Sequence, residues 1–386
     1  MAQVVPSETE DAPAKQRIAS LDALRGFNIF WIIGADGAIL ALRDITVDKG
    51  PVVSAVGGFL GTQMTHADWE GFRFYDFIFP LFIFITGVSI VFSLAHLVER
   101  EGLAAAHMRV LRRSLLLYGL GLIYYGGISQ HWDDIRCLGV LQRIGICYLF
   151  ASLMLLNLNL RGMIAAFASL LVGYWALMTF VPVPGIGAGS FAPGANLANW
   201  IDLHYLPGRL WDTTSDPEGL LSTLPAIATC LMGVFAGLFL KQARMSATRK
   251  SIWLIGAGLV AIAAGQLWGV QFPVIKAIWT SSFVLVAGGW SLVLLGAMHQ
   301  IVDGWGVRNW SLIFVWIGAN AITLYFLNSV LGFEPFAQRF VGGDLGQWID
   351  RLTTPGAGRF VSHLLGLGFA IWLAAFFYRR KIFLRV

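Results

Sequence analysis

The sequence predicts an all-α, polytopic integral membrane protein, a bundle of about ten transmembrane helices with both termini cytoplasmic, and three observations carry that prediction. Hydrophobic residues make up 57% of the 386 and charged residues 13%, and the mean hydropathy is +0.69; a water-soluble chain of this length is less apolar. Fifteen tryptophans and 28 phenylalanines suit interfacial belts and lipid-facing walls. The net charge of +5 comes from short basic clusters at the ends of apolar runs, not from a continuous stripe. That distribution argues against a nucleic-acid surface and reports orientation instead.

Apolar runs of roughly 18 to 25 residues are long enough to span a bilayer. They fall at about 22–42, 75–97, 109–128, 139–157, 162–182, 220–240, 251–270, 279–299, 309–332 and 360–379. Placing the N-terminus inside puts the basic clusters Arg109, Arg112 and Arg113, then Lys241, Arg244, Arg249 and Lys250, and finally Arg379, Arg380, Lys381 and Arg385 on one face, the inner one. The polar segment 1–16 has no apolar h-region of a signal peptide and reads as a disordered cytoplasmic tail, with 17–386 as a single membrane domain.

The connections are asymmetric. Inner ones are short, whereas outer ones at about 43–74, 183–219 and 333–359 are long, and long loops usually carry function. The 183–219 segment, rich in Gly, Pro, Asn and aromatic residues, reads as an ordered lid with little regular structure. Cys137, Cys147 and Cys230 have neither the number nor the spacing of a disulfide frame or zinc site and read as packing residues. No cluster has metal-ligand spacing, so no metal is expected.

The site candidates are the polar residues placed where polarity is costly. His66 sits beside acids and tryptophan just before the run FYDFIFPLFIFITG. It reads either as an interfacial imidazole capping a loop or as a half-desolvated base that still meets a water-borne substrate. Asp36 lies roughly 22 Å from Leu21 along a helix crossing a core of about 30 Å, at the same outer level as His66. An Asp36–His66 pair would orient the imidazole and raise its basicity; alternatively, Asp36 bonds a neighbouring backbone or a buried water.

At the inner end Ser20 reads as a helix cap, with Asp22 and Arg25 one turn apart. Arg25 with Arg109, Arg112 and Arg113 would suit an anion such as phosphate, although positive-inside bias also accounts for them. At the outer face Gln142 and Arg143 open the fourth span, and Asp216 reads as a cap with Pro217 at the first helical position and Glu218 next to it. These, with Lys276, Trp279, Ser281 and Ser282, and Trp69 and Glu70 beside the histidine, are candidates for holding sugar hydroxyls or an amine; Asn320 in the ninth span is a further polar candidate.

The blocks SLDALRGF at 20–27, HADWEG at 66–71, YDFIFPLFIFITG at 75–87, GVLQRIG at 139–145 and DPEGLLSTLPA at 216–226 together resemble the heparan-α-glucosaminide N-acetyltransferase family of transmembrane acetyltransferases and its bacterial relatives. The resemblance implies transfer of acetyl from cytoplasmic acetyl-CoA, as co-substrate, to the amine of a glucosamine-type sugar across the membrane, in a bacterial inner membrane and in a possible homodimer. The family's active histidine maps onto His66, as general base or transient acetyl carrier. Relatives carry a polar residue, Asn in the lysosomal enzyme, where this chain has Asp36.

On that reading the CoA phosphates sit near Arg25 and the third-span arginines, and Asn28 or Gln142 stabilises the oxyanion. The lysosomal protein's additional N-terminal luminal domain and first span have no counterpart here, so acceptor recognition is expected to differ, and heparan itself is not the expected acceptor of a bacterial-looking protein. The rival readings are an amino-sugar transporter, for which midspan Gly and Pro as at Phe79-Pro80 would mark broken helices, and an O-acyltransferase acting on an envelope glycan.

Overall fold

The computed structural model describes residues 18–129 and 131–383. The tail expected at 1–16 and Arg385 of the last basic cluster lie outside the described residues. Within them the chain is helical, with three isolated two-residue bridges and no strand. Apolar helices satisfy their own backbone groups without water, which makes them the economical way for such a chain to cross lipid.

The helices are α1 (Ala19–Phe30), α2 (Asp36–Thr46), α3 (Pro51–Gln63), α4 (Phe74–Tyr124), α5 (Val140–Asn157), α6 (Leu160–Phe180), α7 (Leu197–Tyr205), α8 (Thr223–Leu240), α9 (Ala247–Gly269), α10 (Ser281–His299), α11 (Leu312–Ala319), α12 (Ala321–Leu331), α13 (Phe333–Val341), α14 (Gly343–Leu352) and α15 (Ala357–Arg379). Seven helices among the described residues are long and apolar enough to cross a membrane, eight if the pair α11 and α12, bent by 68°, forms one span. The count of ten read from the sequence differs at two places. The run at 75–97 and all but the last four residues of that at 109–128 fall within the 51 residues of α4, where Gly102, at φ 84°, interrupts the helical backbone between them. A straight helix of that length would reach about 75 Å, far beyond a bilayer core of about 30 Å. The run at 22–42 is divided between α1 and α2 by a π-helical segment, Trp31–Ala35, in which Gly34 is at φ 133°.

α4, α5, α8 and α10 form the main core, with Leu81, Phe84, Val88, Cys147, Leu231 and Phe283 fully enclosed. α4 and α8 approach closely because each offers glycine at the crossing. A Cβ on Gly87 would collide with the Cys230 carbonyl, and one on Gly233 with the Phe84 carbonyl. Small residues at such crossings are how membrane helices gain packing contact. Cys147 and Cys230 are buried there, and all three cysteines are free thiols. By contrast α6 and α9 carry exposed Ile164, Val172, Val260 and Leu267, the surface expected of lipid-facing helices.

Several local expectations are corrected. α1 begins at Ala19 with Ile18 as its N-cap; Ser20 lies inside it, buried. The loops expected at 43–74 and 333–359 hold α3 and the amphipathic α13 and α14, and the lid at 183–219 contains α7, capped by the Asn196 side chain on Asn199. α8 starts at Thr223, so neither Asp216 nor Pro217 opens it. Asp216 instead accepts from the Trp211 and Glu218 backbones, at 2.9 Å each, and organises the turn ahead of the helix.

Candidate active site

Four loop segments meet at one end of the bundle. Glu70 pairs with Ile275 and Arg136 with Gly208 as isolated bridges, Gly71 N donates to Val274 O at 2.8 Å, and Trp69 Nε1 donates to Phe191 O at 2.9 Å. Beneath them lies a cavity of about 440 Å³. Its walls are Ile29 of α1, Ile32 of the π-helical segment after it, Ile78, Phe79 and Phe82 of α4, Leu141 and Ile144 of α5, and Ile322 and Tyr325 of α12. His66, Trp69, Tyr75, Asp76, Trp211, Glu218 and Lys276 line it at the loop end. An apolar hollow with a few convergent polar groups is the usual form of a small-molecule site.

Asp76 organises this end. It occupies the third position of α4, where a carboxylate favours the helix dipole, and its Oδ2 accepts from the Arg73 and Ala67 backbones at 3.0 and 3.1 Å. Its Oδ1 lies 2.8 Å from His66 Nδ1. Asp76 is 1% exposed and the imidazole 53%, so a fixed carboxylate orients a ring that solutes can reach. Arg73 ties down the histidine's loop, donating to Thr65 Oγ1 at 2.9 Å and to the His66 carbonyl.

The expected Asp36–His66 pair is therefore not the one formed. Asp36 Oδ2 accepts from the Tyr75 hydroxyl at 2.8 Å, and its Oδ1 from Gly37 N at 2.7 Å. Tyr75 in turn packs its ring 4.9 Å from the His66 ring. Asp36 thus reaches the imidazole through an aromatic contact, whereas Asp76 touches it directly.

Lys276 completes the cluster. Its Nζ lies 2.9 Å from His66 Nδ1, 3.2 Å from Nε2 and 3.6 Å from Asp76 Oδ1. Burial lowers its ammonium from the ordinary lysine range, against the opposing pull of Asp76 and Glu218.

A second polar group, centred on Arg136 and Glu218, forms part of the cavity wall. Arg136, fully buried, donates to Asp216 at 3.0 Å, to Glu218 at 2.6 Å and to the Leu138 carbonyl at 2.8 Å. Its guanidinium lies between the rings of Tyr125 and Trp211, 4.6 and 4.5 Å from their centroids. Arg143, also buried, donates to Gly219 O and Ser222 Oγ and lies over Trp279. Burial raises the carboxyl groups of Glu218 and Asp202, the latter to about 7.

The structure gathers some of the sequence candidates and separates others. His66, Trp69, Glu218 and Lys276 line the cavity. Gln142, Arg143, Asp216 and Trp279 are buried beside it: Gln142 Nε2 donates to Arg136 O at 3.3 Å and Trp279 Nε1 to Thr229 Oγ1 at 3.1 Å. Glu70 is exposed and does not line the cavity. Ser281 and Ser282 bond the carbonyls of Leu171 and Phe272 and act as packing and turn residues. Asn28 and Asn320 are buried, without side-chain hydrogen-bond partners among the described residues.

The four expected anion-binding arginines do not reach the cavity. Arg25 bonds Asp22 and Ser89, Arg113 covers the Tyr148 ring, and Arg109 and Arg112 are exposed. Of the residues not singled out, Asp76 was readable as an acid at the third helical position, ten residues after the histidine. Arg136 and Asp202 had no local signal, because their partners lie 80 to 82 and 18 residues away.

Fold and site together define a helical membrane protein with a carboxylate–imidazole–amine cluster over an apolar cavity. The chain belongs to the family described as heparan-alpha-glucosaminide N-acetyltransferase, catalytic, whose model matches residues 52–268. It is 27% identical over 389 residues to the Homo sapiens heparan-alpha-glucosaminide N-acetyltransferase and 25% identical over 390 to that of Mus musculus. Each match covers 86% of this chain and 57% of the relative, so the chain spans little more than half the length of these proteins.

Proposed function

We propose that the protein transfers an acetyl group from acetyl-CoA to the amine of a glucosamine-type amino sugar, at the loop-bearing end of a bacterial inner-membrane bundle. The observation that carries this reading is the placement of His66, fixed by Asp76, in the same cavity wall as Lys276. With Asp76 accepting from Nδ1–H, the neutral imidazole keeps its lone pair on Nε2. That nitrogen takes the proton from the attacking amine as the amine's lone pair adds to the thioester carbonyl. The C–S bond then breaks, and the leaving thiolate takes up the proton held on Nε2, which returns the imidazole to its neutral form. A protonated Lys276 beside the ring stabilises the oxyanion formed in between. Glu218 and Asp212 in the cavity wall offer hydrogen-bond acceptors for the amine and hydroxyls of an amino sugar, and Trp69 and Trp211 offer faces for the sugar ring.

In this reading the chain forms ten spans with both termini cytoplasmic, 17–386 acts as one domain, and a homodimer is the working assembly. The two halves of α4 and the broken α1–α2 run supply the additional crossings. CoA approaches from the cytoplasmic side, with Arg25, Arg109, Arg112 and Arg113 as the phosphate-facing cations. Arg25 stands one turn before Ile29 of the cavity wall. Asn28 is the candidate amide along that route.

One observation favours the transporter reading: the 68° bend between α11 and α12, with the π-helical segment of α1–α2, gives interrupted helices of the kind transporters use. Proteoliposomes with acetyl-CoA on one side and glucosamine on the other separate the two. N-acetylated product supports the enzyme. Unmodified sugar crossing without any acetylation contradicts it.

A further inference from the structure

We infer that Lys276 is an internal acetyl acceptor: when no amino sugar is present, its Nζ takes the acetyl group and the protein acetylates itself at this residue. The inference rests on the acetyl-transfer reading and adds a modification site to it. An acceptor amine must come within about 3 to 3.5 Å of the groups that handle the thioester and its proton. Lys276 Nζ already meets that condition, at 2.9 and 3.2 Å from the two His66 nitrogens. Both residues line the same cavity, so a thioester carbonyl that reaches His66 also reaches Nζ.

Position alone would not make a lysine react, because an ammonium has no lone pair. The surroundings of Lys276 support a neutral fraction: burial disfavours its charge more than Asp76 and Glu218 restore it. His66 is the third titratable group against it and is the base at hand. The Gly71 N to Val274 O bond and the Glu70–Ile275 bridge anchor the backbone that carries Lys276, and the His66 nitrogens and Asp76 Oδ1 lie against its Nζ.

The step balances without a further reagent. The Nζ lone pair adds to the thioester carbonyl, the C–S bond breaks, and CoA leaves as thiolate. The proton lost by the nitrogen passes to the His66 imidazole and from there to the thiolate. The products are an N-acetyl-lysine and free CoA. Because the amide carries no charge, the modified chain has lost the cation beside Asp76, so acetylation of Lys276 also lowers turnover with an amino sugar.

The test incubates the full chain in liposomes with isotopically labelled acetyl-CoA and no amine acceptor, then maps acetylated peptides by mass spectrometry. Wild type, His66→Ala and Lys276→Arg are compared, with exposed Lys49 as the measure of non-enzymatic acetylation. Aliquots of each preparation receive glucosamine in parallel. The expected result is label on Lys276 of wild type approaching one per chain, at least tenfold above Lys49, and falling to the Lys49 level in His66→Ala. Glucosamine acetylated by wild type with Lys276 unlabelled, or labelled equally in His66→Ala, overturns this inference and leaves the acetyl-transfer reading standing. Absence of transfer to either amine overturns both.

Discussion

His66 Nδ1 and Asp76 Oδ1 lie 2.8 Å apart, and the same carboxylate closes the first turn of α4 by accepting from the Arg73 backbone. One residue therefore both starts a membrane helix and orients an imidazole. Replacing it separates the two effects. Asp76→Ala is expected to lower the acetyl-transfer kcat by about a hundredfold or more, through loss of the fixed tautomer. It also costs about 1 kcal/mol of stability through the lost cap. Asp76→Asn keeps an acceptor for the backbone and should recover most of the stability but not the rate. Steady-state kinetics and thermal unfolding of the two variants check this.

Tyr75 and Asp36 act one contact further away. Tyr75→Phe keeps the ring against His66 and removes the hydroxyl that Asp36 Oδ2 accepts. The expected effect is a loss of about tenfold or less in kcat, smaller than at Asp76, because the ring contact persists and the catalytic proton does not pass through this pair. Equal losses for Tyr75→Phe and Asp76→Ala would place the Asp36 pair in the chemistry instead. Parallel measurements of kcat and KM decide between them.

The Arg136 cluster forms part of the cavity wall and is costly to disturb. A buried guanidinium between two carboxylates, with two aromatic faces around it, leaves uncompensated charge when it is truncated. Arg136→Ala is expected to destabilise the protein by about 3–5 kcal/mol. Substituting Glu218→Gln keeps a hydrogen-bond acceptor and should cost less. Thermal unfolding in detergent reads both.

Asp202 gives the fold a pH dependence. Its carboxyl is raised from 3.8 to about 7 by burial, although Leu220 N bonds it. Between those values the folded chain holds a proton that the unfolded chain has released. This group therefore makes stability fall as pH rises from about 4 to about 7 and adds no slope above that window. An Asp202→Asn variant should lose that component, so the difference in melting temperature between variant and wild type changes across pH 4–7 and stays level above it.

How much was legible follows from the range over which each signal acts. Continuous apolar runs announce a helical membrane protein locally, which is why α5, α6, α8, α9, α10 and α15 fall close to where composition places them. Interruptions inside a run were harder to read: the break at Gly102 falls in the gap between the runs 75–97 and 109–128, whereas Gly34 lies within the run 22–42 as one of 44 glycines, and only the backbone reveals that it breaks the helix. His66 was readable from its polar neighbours beside an apolar run. Its partner was misassigned to Asp36 because depth along a helix matched, while the rotation that turns Asp36 toward Tyr75 does not show in a linear count. Arg136 was missed for a related reason, since nothing within a few residues of it distinguishes a loop cation from the buried centre of a charge cluster.

The central claim is that His66 performs proton transfer during acetylation of an amine. The direct measurement is transfer of labelled acetyl from acetyl-CoA to glucosamine by purified protein in liposomes, wild type against His66→Ala, with acetyl-CoA affinity and melting temperature measured on both. The account predicts transfer reduced by at least about a hundredfold in the variant, with affinity and folding retained. Transfer that persists at the wild-type rate in a folded His66→Ala protein would contradict it.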